Sequence, residues 1–179
     1  VQLGVNWFLT KPLGVSSIPV GYSAEEISEE AFGKATTGME TLNKYAMDII
    51  RKYPINSCTD VTGFGLAGHL HEMMNERFSA KIHSKDLPYF EEAYQGAKEF
   101  ILTAGGQRNR NYMEQKMDFQ LDDFGIEELL FDPQTSGGLL VSVPADQADT
   151  LVQELQAADI PAHDFGVVIE KQEKELIVY

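Results

Sequence analysis

The sequence has little of what marks several common protein classes. It holds a single cysteine, so no disulfide can form within the chain, and this fits a reducing, cytoplasmic compartment. No run of about 18 apolar residues occurs, so we expect no transmembrane helix. The N-terminal residues also lack the basic and apolar regions of a signal peptide. Lysine and arginine total 14 against 28 acidic residues, a formal net charge of −14. This balance argues against a nucleic-acid or anionic-membrane partner.

What is present predicts one globular domain over residues 1–179. Apolar residues make up 43% and charged residues 23%, and the length allows a substantial core. The first residue is Val rather than Met and a β-prone run follows at once, which indicates a piece of a longer protein. Periodicity predicts helices at 39–53, 64–78, 89–102 and 146–158, and strands at 5–10, 80–84, 139–143, 164–170 and 175–179. The last two strands are predicted to form a hairpin through a turn at 171–174. This mixture predicts an α+β fold with a mixed sheet covered by helices.

The stretch at residues 57–74 concentrates the residue types of a phosphate or metal site. Asp60 is followed by Gly63 and Gly65, and then by an apolar pattern of helical period. Glycines let backbone approach a ligand closely, and free N–H groups at a helix start favour an anion such as phosphate. The Asp60 carboxylate could hold Mg²⁺, which prefers carboxylate, water and phosphate oxygens. Alternatively, Asp60 and Thr62 only cap the helix and the glycines form a tight turn. The P-loop pattern G-x-x-x-x-G-K-[ST] is absent.

A second glycine-rich stretch, residues 103–112, carries two arginines in an otherwise acidic chain. It contains Gly105, Gly106, Arg108 and Arg110. We interpret it as a loop that could bind phosphate through backbone N–H groups and guanidinium forks. A solvated connector whose arginines pair with surface carboxylates explains the pattern equally well.

Isolated Cys, His and Asn residues in the chain are each interpreted as structural rather than as a nucleophile or a metal ligand. Cys58, a small residue before a turn, is interpreted as a packed thiol rather than a nucleophile. His69 and His71 lie two residues apart on a predicted helix, so they face different directions, which disfavours a shared metal. Asn43 lies near the buried face of the first predicted helix and either faces solvent or donates a hydrogen bond to a loop.

Two longer motifs resemble those of a known family. DVTGFGLAGHL at residues 60–70 resembles the DVTGFGLxGHL signature of selenophosphate synthetases (selenide, water dikinases), and DPQTSGGLL at 132–140 resembles their second signature. Shorter stretches match in the same order along nearly the whole chain. They are LTKPLG at 9–14, M-x-x-L-N at 39–43, the GG-x-x-R-N-like loop at 105–111 and the I-G-x-V-like strand at 165–168.

The resemblance implies the C-terminal half of a longer enzyme, the domain shared with aminoimidazole ribonucleotide synthetases. Its expected fold is a three-layer α/β/α arrangement with some ferredoxin-like character. Members of the family convert ATP, selenide and water into selenophosphate, AMP and orthophosphate and require Mg²⁺. They dimerise mainly through the other half, which also carries the nucleophile. We therefore expect no catalytic nucleophile in residues 1–179, and no turnover by these residues alone.

The resemblance also implies roles for individual residues. Asp60 matches the position at which the family supplies a magnesium ligand. Thr62 and Gly63 are expected near the metal or phosphates, and Arg108 and Arg110 are candidate phosphate contacts. The TSGG loop is expected to shape the backbone rather than to perform chemistry.

Two alternative functions stay open. The chain could belong to another ATP-dependent enzyme of the same superfamily, such as an aminoimidazole ribonucleotide synthetase or a thiamine monophosphate kinase. It could also be a non-catalytic scaffold homologue. The phenylalanine in TGFG and the complete DPQTSGG argue against the other enzymes, and the presence of Asp60 argues weakly against the scaffold.

Overall fold

The computed structural model describes all 179 residues as a seven-stranded mixed sheet with helices on both faces. The strands are β1 (Val5–Leu9), β2 (Ser57–Asp60), β3 (Phe78–Ile82), β4 (Met117–Phe119), β5 (Leu139–Pro144), β6 (His163–Glu170) and β7 (Leu176–Val178). The helices are α1 (Ser17–Ser23), α2 (Glu29–Glu40), α3 (Lys44–Ile50), α4 (Gly65–Met74), α5 (Glu91–Lys98), α6 (Ala104–Met113), α7 (Phe124–Phe131) and α8 (Ala145–Ala157). The predicted α+β class with a mixed sheet is confirmed.

The order of strands in the sheet is β2-β5-β1-β6-β3-β7-β4. The first five strands pair antiparallel, whereas β7 runs parallel to both of its neighbours, β3 and β4. No helix is long and apolar enough to cross a membrane.

Alternation along β1 divides the interior into two cores. Trp7 and Leu9 face the larger core, which is closed by apolar residues of α1, α2, α4, α5 and α7. Phe8 faces the opposite side and packs in a smaller core with residues of α3 and α8. Because successive side chains of a strand point to opposite faces, β1 contributes to both cores and lies at the centre of a three-layer arrangement.

The predicted hairpin between the last two strands is wrong. β6 and β7 do not pair with each other, because β3 lies between them and pairs with both. Residues 171–175 cross over the start of β3, where the Ser79 hydroxyl accepts from Gln172 N at 2.8 Å and donates to Lys174 O at 2.9 Å. The short charged connection looks like a hairpin turn, but the intervening strand comes from a distant part of the sequence.

The helix predicted at 39–53 is in fact two helices. α2 ends at Glu40 and α3 begins at Lys44, and Thr41 has an extended backbone (φ −71°, ψ 120°). Ser28 is the N-cap of α2 and accepts from Ala31 N at 3.2 Å, and Thr37 lies inside that helix. Leu42, which belongs to the apolar pattern of the predicted helix, is 60% exposed at the break.

The predicted arginine loop is also wrong, because residues 104–113 form α6. Thr103 caps this helix, and its hydroxyl accepts from Gly106 N at 3.0 Å. A Cβ at Gly105 would lie 2.6 Å from Cγ of Pro133, so the first turn needs glycine to pack against the DPQ segment. The glycines that packing requires in this helix are therefore the residues that made the sequence look like a loop, and the sequence pattern misled. It also missed α1 and the short strand β4.

Candidate functional site

Three strand ends place the two long sequence motifs side by side. β1 and β2 both run antiparallel to β5, so the ends of β1 and β2 lie beside its start. In this register Asp60 is opposite Leu139, and Leu9 is opposite Leu140. The residues after Asp60, the TSGG loop before β5 and the residues after Leu9 consequently meet at one end of the sheet.

The TSGG loop packs directly on the backbone that follows Asp60. Val61 N donates to Gly138 O at 2.9 Å, and Gln134 N donates to Thr62 O at 3.0 Å. A Cβ on Gly137 would overlap the carbonyl oxygen of Val61, and one on Gly138 would lie 2.5 Å from Lys11 N. Only glycine allows this close approach, in agreement with the expected backbone-shaping role of the loop.

The loop from Asp60 to α4 is held by a histidine and a glycine. Gly65 has φ +67°, and a Cβ there would lie 2.8 Å from Phe131 O. Thr62 N donates to Nε2 of the buried His69 at 3.0 Å, so that nitrogen carries no proton. The proton is therefore on Nδ1, which lies 3.2 Å from a carboxylate oxygen of Glu72. His69 thus satisfies a backbone donor of the loop.

This hydrogen bond limits which N–H groups can meet an anion. Thr62 N is occupied by His69, but the N–H groups of Gly63 and Phe64 donate to no atom of the chain. Gly63 is exposed, and the Phe64 ring beside it is 58% exposed. The free donors are therefore the two backbone N–H groups that follow Thr62.

The Asp60 carboxylate is exposed and forms no hydrogen bond or ion pair within the chain. No group of three or more His, Cys, Asp or Glu side chains could hold a metal ion by itself. Mg²⁺ is commonly bound through one or two carboxylates, with water and phosphate oxygens completing its shell. Asp60 fits such a cation as a single ligand. Nearby, burial and then the charge of Asp60 raise the pKa of the Cys58 thiol, which does not favour a nucleophile.

The two arginines of α6 have different surroundings. Arg108 is exposed and forms no ion pair. Arg110 lies 2.6 Å from carboxylate oxygens of both Glu127 and Glu128, with its guanidinium over the rings of Phe124 and Phe131. Burial works against its charge, but the two glutamates outweigh burial and raise the pKa of Arg110. Its guanidinium is therefore already engaged by carboxylates.

Sequence reasoning assigned no role to several residues that organise this end of the sheet. Lys11 Nζ donates to Thr41 O at 2.7 Å and Ser136 O at 2.9 Å, and burial lowers its pKa. Asn109 Nδ2 donates to Gly63 O and Phe131 O, each at 2.9 Å. Both residues lie within recognised motifs, but no periodicity or spacing indicates their partners. For Asn43, the predicted loop contact is confirmed, since Nδ2 donates to Gly137 O at 2.9 Å.

Comparison with protein families gives a match over almost the whole chain. The family described as AIR synthase related protein, C-terminal domain, matches residues 9–179. The chain belongs to this family. The matched residues include the end of β1, all of β2, the loop after Asp60 and the TSGG loop, which together form the candidate site.

Relatives of this C-terminal domain include proteins named selenide, water dikinase. One from Desulfitobacterium hafniense (strain Y51) is 43% identical over 171 residues, which cover 96% of this chain and 50% of the relative. Another, from Agathobacter rectalis, is 43% identical over 171 residues, covering 95% of this chain and 50% of the relative. The chain spans about half the length of the curated relatives it matches.

Solved structures share the fold of the C-terminal domain at much lower identity. A thiamine-monophosphate kinase from Stenotrophomonas maltophilia has a TM-score of 0.67 at 17% identity, covering 99% of this chain and 50% of the other. The hydrogenase maturation protein HypE of E. coli has a TM-score of 0.65 at 13% identity, covering 98% of this chain and 46% of the other. At these identities the likeness concerns the fold alone.

Proposed function

We propose that this chain is the C-terminal half of a selenide, water dikinase and supplies one side of its ATP and magnesium site. The full reaction would convert ATP, selenide and water into selenophosphate, AMP and orthophosphate. The observation that carries the proposal is the meeting of both signature motifs at one end of the sheet, beside an exposed carboxylate without a partner. Relatives of that name at 41–43% identity support it.

Each residue has a separate role in the proposal. Asp60 would contribute one ligand to Mg²⁺, and the free N–H groups of Gly63 and Phe64 would face phosphate oxygens. Thr62 is partly exposed, and its hydroxyl, 3.2 Å from His69 Nε2, would contact the same groups while its N–H stays with His69. The bound cation would neutralise the charge that develops on the transferred phosphoryl group. Arg108 is the arginine we assign to phosphate, and we leave Arg110 out because glutamates engage it.

The proposal extends to parts outside the 179 residues. An N-terminal half would provide the nucleophile and most of the nucleotide contacts, and the complete enzyme would be a homodimer. The described residues would not turn over alone, since Cys58 is partly buried with a raised pKa and Asp60 is a solitary metal ligand.

The test is ³¹P NMR of the full-length gene product with ATP, Mg²⁺ and selenide, run beside the Asp60→Asn variant. We expect a selenophosphate signal from the parent and at least a hundredfold slower formation by Asp60→Asn, because one metal ligand is lost. Asp60 is exposed, so circular dichroism and the melting temperature should be unchanged. Asp146→Asn removes the same charge at the other end of the sheet and should retain full activity.

Three outcomes would contradict the proposal. A parent that binds Mg-ATP but forms no selenophosphate would favour another superfamily enzyme or a scaffold. Full activity of Asp60→Asn would remove its metal role. Selenophosphate formation by residues 1–179 alone would refute the assignment of the nucleophile to the other half.

A further inference from the structure

Asp132, the first residue of the DPQTSGG motif, is a buried carboxylate that accepts hydrogen bonds from three separate segments. It is 5% exposed. Its Oδ2 accepts from Ser16 N at 3.2 Å and from Gln134 Nε2 at 3.3 Å, and its Oδ1 accepts from the Thr103 hydroxyl at 3.2 Å. These donors come from the start of α1, the TSGG loop and the N-cap of α6.

The groups around Asp132 all donate hydrogen bonds to its two oxygens. Every atom that reaches its two oxygens is a donor, and no lysine, arginine or histidine pairs with it. Burial raises the pKa of Asp132 to about 7, against the lowering effect of these hydrogen bonds. An asparagine has nearly the same volume, but its NH₂ group would face either the two N–H donors at the Oδ2 position or the Thr103 hydroxyl, whose hydrogen bond would then reverse. Burial therefore disfavours the charged form of Asp132, while its hydrogen-bond donors favour that form.

Two hydrogen-bond routes lead from Asp132 to the loop after Asp60. In the first route, the Gln134 side chain donates to Asp132 and the Gln134 backbone N donates to Thr62 O at 3.0 Å. In the second, Thr103 donates to Asp132 and caps α6, and Asn109 of that helix donates to Gly63 O at 2.9 Å. The two routes end on consecutive carbonyl oxygens of the same loop.

We propose that Asp132 is a positioning residue that fixes the backbone at Thr62 and Gly63 through Gln134 and α6. Fixing these two carbonyls sets the direction of the Asp60 carboxylate and of the free N–H groups of Gly63 and Phe64. The identity of the ligand rests on the proposed function, whereas the positioning of the loop does not. A carboxylate with no contact to the exposed site thereby controls the geometry of that site.

The test uses the ¹⁵N-labelled chain with the Asp132→Asn substitution, which keeps the volume but turns one acceptor into a donor. We expect the amide resonances of Thr62, Gly63 and Phe64 to shift or broaden, together with those of the first turn of α6. The strands β3, β6 and β7 should keep their wild-type resonances. Asp123→Asn is the matched control, since Asp123 also accepts from a hydroxyl (Tyr94, 2.9 Å) and a backbone N–H (Ile126, 3.2 Å). It should leave Thr62–Phe64 unchanged.

A second variant separates the two routes and does not remove the carboxylate. Thr103→Val has a similar shape but loses the hydroxyl that joins Asp132 to α6. It should perturb the backbone amide resonances of Gly63 and Phe64. The backbone amide of Gln134, which belongs to the other route, should keep its wild-type resonance. Wild-type resonances at residues 62–64 in either variant would overturn the proposal. If Asp132→Asn does not fold, Thr103→Val alone decides the question.

Addition of Mn²⁺ distinguishes failure of this proposal from failure of the proposed function. Paramagnetic broadening at Gly63 reports metal bound to Asp60, and we expect Asp132→Asn to need at least fivefold more Mn²⁺ for the same broadening. An absence of broadening in the wild-type chain would count against the metal role of Asp60 alone, and the resonance shifts would still decide the positioning. If broadening at Gly63 occurs and needs the same Mn²⁺ concentration in wild type and Asp132→Asn, Asp132 does not control metal binding at Asp60.

Discussion

Two arginines two residues apart on α6 show how strongly the surroundings decide the role of a side chain. Arg108 is exposed and unpaired, while Arg110 pairs with both Glu127 and the buried Glu128. The sequence predicted an excess of positive charge at this position and left open whether it binds phosphate or pairs with carboxylates. It could not separate the two residues, because the paired glutamates come from α7, whose packing against α6 is a tertiary contact.

The two arginines should therefore respond differently to the same substitution. Arg110→Met leaves Glu128 buried without its cation, so we expect the free energy of unfolding to fall by about 3 kcal/mol, as for other broken buried ion pairs. Arg108→Met should change that free energy by less than about 0.5 kcal/mol. In the full-length enzyme it should reduce kcat/KM for ATP about tenfold, the loss of one phosphate contact. Urea unfolding and steady-state kinetics measure both, and a reversed pattern would contradict the assignment.

Asp132 should give the protein a recognisable dependence of stability on pH. Its pKa is raised from 3.8 to about 7 in the folded state, so between these values the folded protein holds a proton that the unfolded chain releases. The free energy of unfolding contributed by Asp132 is therefore highest below pH 4 and falls as the pH rises to about 7. The shift of about three units corresponds to at most ~4 kcal/mol.

Other carboxylates titrate in the same range, so the difference between wild type and Asp132→Asn is the quantity to measure. Urea unfolding at pH 4.5, 6 and 8 should show wild type losing stability relative to the variant as the pH increases. A difference that is constant with pH would show that Asp132 has an ordinary pKa.

At the scale of elements, sequence patterns predicted the presence of helices and strands better than the residues at which they end. The predicted strand at 139–143 and helix at 146–158 nearly coincide with β5 and α8, because burial on one side produces their periodicity directly. The break between α2 and α3 interrupts a continuous apolar pattern and was missed. Lys11 and Asn43 hold this break against the TSGG loop, through contacts that link the break to residues 30 and 94 positions away.

Replacing a helical glycine by alanine should change the stability of the protein in opposite directions at two positions. Gly33 lies inside α2 with no heavy atom within 4 Å of an added Cβ, so Gly33→Ala should stabilise the protein by about 0.5–1 kcal/mol. A Cβ at Gly68 in α4 would lie 2.7 Å from Cβ of Phe64, so Gly68→Ala should destabilise it or displace the loop. Thermal unfolding of both variants is the measurement, and equal stabilisation by the two would contradict the packing argument.

At the scale of the whole molecule, composition and element content were enough to predict the fold class but not the strand order. The α+β class follows from the mixture of periodicities. The order β2-β5-β1-β6-β3-β7-β4 depends on pairings between residues far apart in sequence, which single-chain periodicity does not contain. The site was located through motifs, and their adjacency became visible only when the antiparallel register of β2 and β5 was known.

The insertion of β3 between β6 and β7 means that β7 is attached to its neighbours twice, once covalently and once by pairing. Residues 171–175 provide the covalent link, while ladders to β3 and β4 hold the strand from both sides. A cut between Gln172 and Glu173 would sever the link and leave both ladders intact. The segment beyond the cut would then be held by strand pairing alone, and β4, whose only strand neighbour is β7, would come away from the sheet whenever that segment left. Split at this point, the domain would become a two-piece assembly whose smaller piece completes the larger.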